Sequence, residues 1–200
     1  MLPNQEEKLD PRVKRTRQLI EQAFMELVKE KGFSTMSVQD ITERAGINRA
    51  TFYAHYPDKF ALLDHAIRQD FRQEIEKRML NACHFTNDNL RILVMAVCEF
   101  VDVAHRHCAV TEQQFQSLVE AQVRSQIHGL LSHWLEGMEI NPALAGGSAA
   151  RERAATAASW AIYGLATEWN RSKRMPPLEQ YADEVLPLVA ANFGLNLELS

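Results

Sequence analysis

Two hundred residues, 46% hydrophobic and 24% charged, describe a globular chain long enough for one large core or two smaller ones. A formal net charge of −4 excludes a uniformly basic polyanion binder. The longest charge-free helical stretch, residues 154–167, falls short of the roughly 18 to 20 apolar residues of a membrane span, so no membrane partner is expected.

The first residues, MLPNQEEKLDP, show no apolar run after a basic start, so neither a secretory signal nor an anchor is expected and the protein is placed in the cytoplasm. Pro11 then opens a helix at a position where its missing N–H is harmless, and Gly32 with Phe33 is expected to close it in a Schellman-like way. Ile20, Phe24 and Leu27 are its candidate core. Arg12, Lys14, Arg15 and Arg17 crowd its start, where they can track a phosphate backbone. Charge is unevenly spread: residues 8–59 hold ten Lys/Arg against seven Asp/Glu (+3), residues 81–200 eight against thirteen (−5).

Residues 38–56, VQDITERAGINRATFYAHY, carry the strongest local signal. Ser37 is a helix cap with Asp40 at the capping-box distance, and Val38, Ile41 and Ala45 form a narrow apolar stripe. Gly46 suits a left-handed helix end, and Asn48 suits the start of a second helix at Arg49. The turn has the length a helix-turn-helix needs. In the second helix Phe52 and part of Tyr56 face inward, while Arg49, Ala50, Thr51, Tyr53 and His55 face outward. A major groove admits such a helix, with Arg suited to guanine and Thr or Ala to the thymine methyl; hydroxyls of Thr51 and Tyr53 can reach phosphate.

On these residues the segment from Arg12 to about Leu63 resembles the DNA-binding domain of TetR-family transcriptional regulators. The resemblance rests on a basic amphipathic first helix ending in KGF (Lys31 to Phe33) and the T/S-x-x-x-I-x-x-x-A-G-I/V pattern from Ser37 to Ile47. TFY-x-HY-x-x-K from Thr51 to Lys59 and the pair Leu62, Leu63 complete it. It implies Tyr53, His55 and Lys59 near DNA, Arg49, Ala50 and Thr51 at the more sequence-variable contacts, and Ser37 and Gln39 at the backbone. It also implies a double-stranded operator, a homodimer and a small-molecule effector.

Beyond Pro57, capped by Asp58, a fourth helix is expected to about Leu80, with Phe60, Leu63, Ile67, Phe71 and Ile75 on its apolar face. After a break at Thr86 to Asn89, helices are expected over Leu90 to Cys108, Thr111 to Gly137, Ala149 to Lys173 and Leu178 to Phe193. The Ala149 to Lys173 helix is rich in small residues, which permit close helix approach; in this region TetR-like proteins form a dimeric four-helix bundle. The reading is all-α with about nine helices: residues 1–57 a helix-turn-helix domain with an N-terminal arm, residues 58–200 an effector-binding and dimerisation domain.

The resemblance implies an effector pocket, for which Met95, Phe100, Phe115, Trp134, Trp160, Tyr163, Thr167 and Glu99 are the candidates, although aromatic residues at helical spacing are more often core. Residues His105 to Cys108 have a metal-like composition, but side chains at i and i+2 diverge on a helix, so no metal is expected there. Cys83, Cys98 and Cys108 are odd in number and fit reduced thiols without a disulfide. No GxSxG, Walker loop, HExxH or dinucleotide turn occurs, so neither an enzyme nor a cofactor is expected. The function read from the chain is a ligand-responsive regulator, a repressor that binds a near-palindromic operator as a homodimer and is released by its effector. The alternatives are a helical ligand-carrying or protein-interaction module with a degenerate DNA-binding head, and an all-α enzyme.

Overall fold

Short-range capping chemistry starts and stops the helices that matter most for function. In the computed structural model, which describes residues 10–78, 85–107, 113–137 and 147–194, helix α1 (Pro11–Lys31) begins where the Arg12 amide donates to Asp10 at 2.8 Å. It ends at Gly32, where φ 78° and ψ 162° are not the left-handed helical pair of a Schellman cap, so the closure differs from the expected one. The Gly32 amide nevertheless reaches the Val28 carbonyl at 3.1 Å.

Helix α2 (Val38–Ala45) has the full capping box: the Asp40 amide donates to the Ser37 hydroxyl and the Ser37 amide to the Asp40 carboxylate. Gly46 follows in the left-handed conformation, φ 66°, and turns the chain into helix α3 (Arg49–His55), capped by Asn48. Tyr56 is extended, and helix α4 (Lys59–Arg78) starts with the Ala61 amide on Asp58. The buried stripe of α2 is Ile41 and Thr42, whereas Val38 and Ala45 are only half-buried. Thr42 enters the interior because its hydroxyl is satisfied locally, donating to the Gln39 carbonyl at 2.9 Å. Phe60, expected on the apolar face of α4, is 42% exposed, its ring set edge-on against Phe33.

Helix α5 (Asn87–His107) starts earlier than expected, because Thr86 accepts the Asn89 amide and acts as its cap. Helices α6 (Gln113–Glu136), α7 (Gly147–Arg171) and α8 (Leu178–Ala190) follow, and the last expected turn, Ala191–Phe193, is a 3-10 segment. The described residues thus hold eight α-helices, one 3-10 turn and no strand, which is the all-α class read from the sequence. None of these helices is long and apolar enough to cross a membrane. Cys98 is buried and unpaired with another cysteine; Cys83 and Cys108 lie outside the described residues, as do the side chains of His105 to His107.

The chain divides into two compact units, one reaching Gln69 and including His105–Val119, the other Asp70–Ala104 with Glu120–Ser200. In the first, Ile20, Phe24, Leu27, Phe33, Met36, Ile41, Phe52, Tyr56 and Leu62 are buried. In the second, Trp134 is wholly enclosed and its ring meets Phe85, which in turn stands edge-on to Phe193. Asn170 on α7 donates to the Cys98 carbonyl on α5, and Arg91 on α5 pairs with Asp183 on α8.

A Cβ added at Gly46 meets nothing within 4 Å, so only the left-handed backbone penalises a side chain there. Gly46→Ala is expected to destabilise the protein by about 1 to 2 kcal/mol without altering its far-ultraviolet circular dichroism. Urea denaturation measures the cost.

Candidate nucleic-acid interface

Seven residues are too few for a helix to persist alone in water, so α3 depends on what grips it. Phe52 is 0% exposed and anchors it from below. At its end the Tyr56 hydroxyl donates to the Glu21 carboxylate of α1 at 2.9 Å, and His65 of α4 meets the same oxygen at 3.0 Å. One carboxylate therefore ties α1, the end of α3 and α4 together. Burial works to raise the Glu21 pKa, but the hydrogen bonds from His65 and Tyr56 and the positive neighbours His65 and Arg17 outweigh it and hold the group below its ordinary 4.5.

With α3 so held, Arg49, Ala50, Tyr53 and Ala54 are exposed, Tyr53 at 52%, while Thr51 and His55 are half-buried. The expected DNA-side positions of this segment, Arg49, Ala50, Thr51, Tyr53, His55 and Lys59, lie on one short stretch of chain, but their polar groups are not equally available. The Thr51 hydroxyl donates to the Asn48 side-chain carbonyl at 2.9 Å, so its expected reach to phosphate is replaced by a bond within the turn. Burial first, and then the charge of Arg17, push His55 below the ordinary imidazole value.

Lys59 departs furthest from the simple phosphate reading. Its ammonium donates to the carbonyls of Phe33 at 3.0 Å, Ser34 at 3.3 Å and Met36 at 2.8 Å, and lies 4.6 Å from the Phe33 ring centre. Three carbonyls match the three protons an ammonium carries, so this charge pins the α1–α2 turn. Ser37 and Gln39 also have local partners: the Ser37 hydroxyl donates to Asp40, and the Gln39 amide donates to Glu43 at 2.8 Å.

The surrounding charge is sorted by pairing. Arg44 makes a two-pronged contact with Glu30, at 2.8 and 2.6 Å, and reaches Glu26 at 3.2 Å; Lys31 pairs with Asp40 at 2.7 Å. Hydrogen bonds from Arg44 hold Glu30 below the carboxylate range, and those from Lys31 and Ser37 do so more strongly for Asp40. Arg12, Lys14 and Arg15 stand exposed at the start of α1.

The candidate effector residues whose side chains are described belong to the second unit. Trp134 is core, Phe100 sits edge-on to Phe71, and Glu99 pairs with Arg78. Met95 accepts from Arg91 through its sulfur, and the Thr167 hydroxyl donates to the Tyr163 carbonyl. Burial, with Glu120 nearby, raises the Tyr163 phenol above its ordinary value. Trp160 is 52% exposed, and the Arg124 guanidinium lies 3.5 Å from its ring centre. The side chain of Phe115 lies outside the described residues. Sequence reading missed Glu21, His65, Asn48 as a partner of Thr51, and Arg124. Only Asn48 had a local signal, since its cap position lies three residues before Thr51.

Residues 19–66 match the family described as bacterial regulatory proteins, tetR family. Over 72 residues the chain is 38% identical to an uncharacterized helix-turn-helix-type transcriptional regulator, YxbF, of Bacillus subtilis, covering 36% of this chain and 19% of that protein. Over 101 residues it is 25% identical to DhaS of Lactococcus lactis, a helix-turn-helix-type transcriptional activator of the dhaKLM operon, covering 50% of this chain and 52% of that one. The chain thus spans between 19% and 52% of the length of these curated relatives. Among solved structures, GusR of Salmonella enterica shares the fold with a TM-score of 0.57 at 18% identity, over 95% of this chain and 100% of that one.

Two outcomes are expected from the polar ties. Lys59→Met keeps the stem but strips three carbonyls of their donor, and is expected to destabilise by about 2 to 3 kcal/mol in urea denaturation. Because the folded-state pKa of Glu21 is depressed, its contribution is present above the ordinary carboxylate pKa and is lost as pH falls through the lowered value. The gap in melting temperature between wild type and Glu21→Gln is therefore expected to be full at pH 6 to 7 and to shrink below about pH 4, as followed by thermal unfolding across pH.

Proposed function

We propose that this chain, which belongs to the TetR family of bacterial transcriptional regulators, is a ligand-responsive repressor that binds a near-palindromic operator as a homodimer and leaves it when a small-molecule effector binds. The observation that carries the DNA half of this reading is α3 itself: a short helix anchored by wholly buried Phe52, with Arg49, Ala50 and Tyr53 presented outward. A helix of that width fits the major groove, where side chains of its exposed face meet base edges. Exposed Arg12, Lys14 and Arg15 supply charge for the phosphate backbone.

The homodimer follows from symmetry and surface. One such helix covers too few base pairs for high specificity, whereas two related by a twofold axis read half-sites roughly 34 to 36 Å apart. On the second unit Trp160 and Leu188 are exposed at 52% and 62%, and exposed Ala157 and Gly164 leave the α7 surface low enough for a second helix to approach. Residues 1–57 then read DNA and residues 58–200 bind effector and partner. Repression is the simpler output, since a dimer covering a promoter blocks polymerase without any further contact. This role places the protein in the cytoplasm.

Release by effector needs a conformational difference with a definite size: shifting a population from 1:99 to 99:1 takes a differential affinity of about 5.5 kcal/mol. Helix α4 continues along the chain from the first unit into the second and is the element through which the coupling passes.

Gel-shift titration with duplex from upstream of the protein's own reading frame, at several salt concentrations, tests the DNA reading. Arg49→Ala is expected to lose about 1 to 3 kcal/mol of affinity and to relax preference at one base pair, with the salt dependence nearly kept. No duplex binding even in dilute buffer, or a strictly monomeric protein in sedimentation, refutes the proposal.

A further inference from the structure

The face that α3 presents is poor in hydrogen-bonding groups. Beside the Arg49 guanidinium and the Tyr53 hydroxyl it offers the Ala50 and Ala54 methyls and the face of the Tyr53 ring, all on exposed residues. The donor that Thr51 would add is engaged: Asn48 Oδ1 takes both the Thr51 amide, at 2.7 Å, and the Thr51 hydroxyl proton, at 2.9 Å. Thr51 is half-buried and its hydroxyl proton is committed to Asn48, so the γ-methyl is the apolar part of this side chain. Base edges in the major groove carry donors and acceptors throughout, and a single apolar group, the C5-methyl of thymine.

We infer that this protein selects its operator mainly by thymine methyls, with Ala50 and Thr51 contacting them, Arg49 reading a guanine beside them, and Asn48 acting as the positioning residue that holds the Thr51 hydroxyl away from DNA. The inference rests on the DNA-binding reading above and adds the chemistry of the half-site. Each methyl contact removes one methyl-sized apolar surface from water on both partners. The burial of one such group corresponds to about 0.8 kcal/mol, about a fourfold change in affinity.

The test starts by enriching an operator from random duplexes with the full-length wild-type chain. Each thymine is then replaced in turn by deoxyuridine, which deletes the C5-methyl while keeping base pairing and charge. About fourfold weaker binding is expected at one or two thymines of each half-site, with an unchanged salt dependence. Thr51→Ser keeps the bond to Asn48 but lacks the methyl, and is expected to abolish the deoxyuridine penalty at one of those positions. Thr51→Val keeps a methyl but lacks the hydroxyl, and is expected to retain that penalty whatever its absolute affinity. Thymine-rich operators indifferent to deoxyuridine, operators without thymine in the half-site, or a penalty that persists undiminished in Thr51→Ser overturn the inference while leaving DNA binding intact. Failure of the wild type to enrich any duplex overturns the DNA-binding reading and this one with it. The deoxyuridine series uses only wild-type protein, so it decides the matter even if a Thr51 variant folds poorly.

Discussion

The burial of Phe52 beneath α3, completed by the Tyr56–Glu21–His65 cluster at the end of that helix, is the constraint from which the rest of the first unit follows. A seven-residue helix has too few internal hydrogen bonds to offset the entropy of forming it. Its stability is borrowed from α1 and α4, and so is its orientation. A single carboxylate on α1 receives a hydroxyl from the end of α3 and an imidazole from α4, so displacing any one of the three partners disturbs the other two. The geometry of the outward face is thereby a property of the whole unit rather than of its own residues.

The same unit separates its charges by task. Arg44, Lys31 and Lys59 are held by carboxylates or carbonyls and fasten α1, α2 and the turn between them. Such pairs contribute modestly when exposed, but they fix side-chain geometry, and they withdraw positive charge from the surface around α2. Exposed cations of this unit include Arg12, Lys14 and Arg15 at the start of α1, Lys29 near its end, and Arg49 on α3. Residues 8–59 carry a local charge of +3 and residues 81–200 one of −5, and Glu26, Glu30 and Asp40 of the first unit are paired with Arg44 and Lys31.

The second unit is built on a different economy of contacts. Alanines at 154, 155, 158 and 166 are buried along α7, so neighbouring helices approach it closely, and long polar side chains such as Asn170 and Arg91 bridge between helices. Glu168 and the Leu165 carbonyl accept from the Tyr181 hydroxyl, and the Trp169 indole donates to the Pro176 carbonyl, closing the α7–α8 turn. Trp134 is enclosed in the core of this unit, whereas Trp160 is open to solvent.

Features that act within one helical turn are legible in the sequence. Ser37 with Asp40, Gly46, Asn48 and Pro11 each satisfy or spare backbone groups a few residues away, and so the helix-turn-helix and the all-α class stood out from the chain alone. Burial on short helices was less legible: Thr42 and Phe60 exchanged places with the apolar pattern, because a hydroxyl bonded to Gln39 could enter the interior and a ring beside Phe33 could remain half outside. Partners distant in sequence left no local trace. Glu21 and Tyr56 are separated by 35 positions and Lys59 and Met36 by 23, and no periodicity encodes such a meeting. Which polar groups of α3 and its neighbours remain unengaged was therefore settled by packing: the residues are written in the sequence, but whether a hydroxyl or an ammonium is committed depends on which acceptor the folded chain brings beside it.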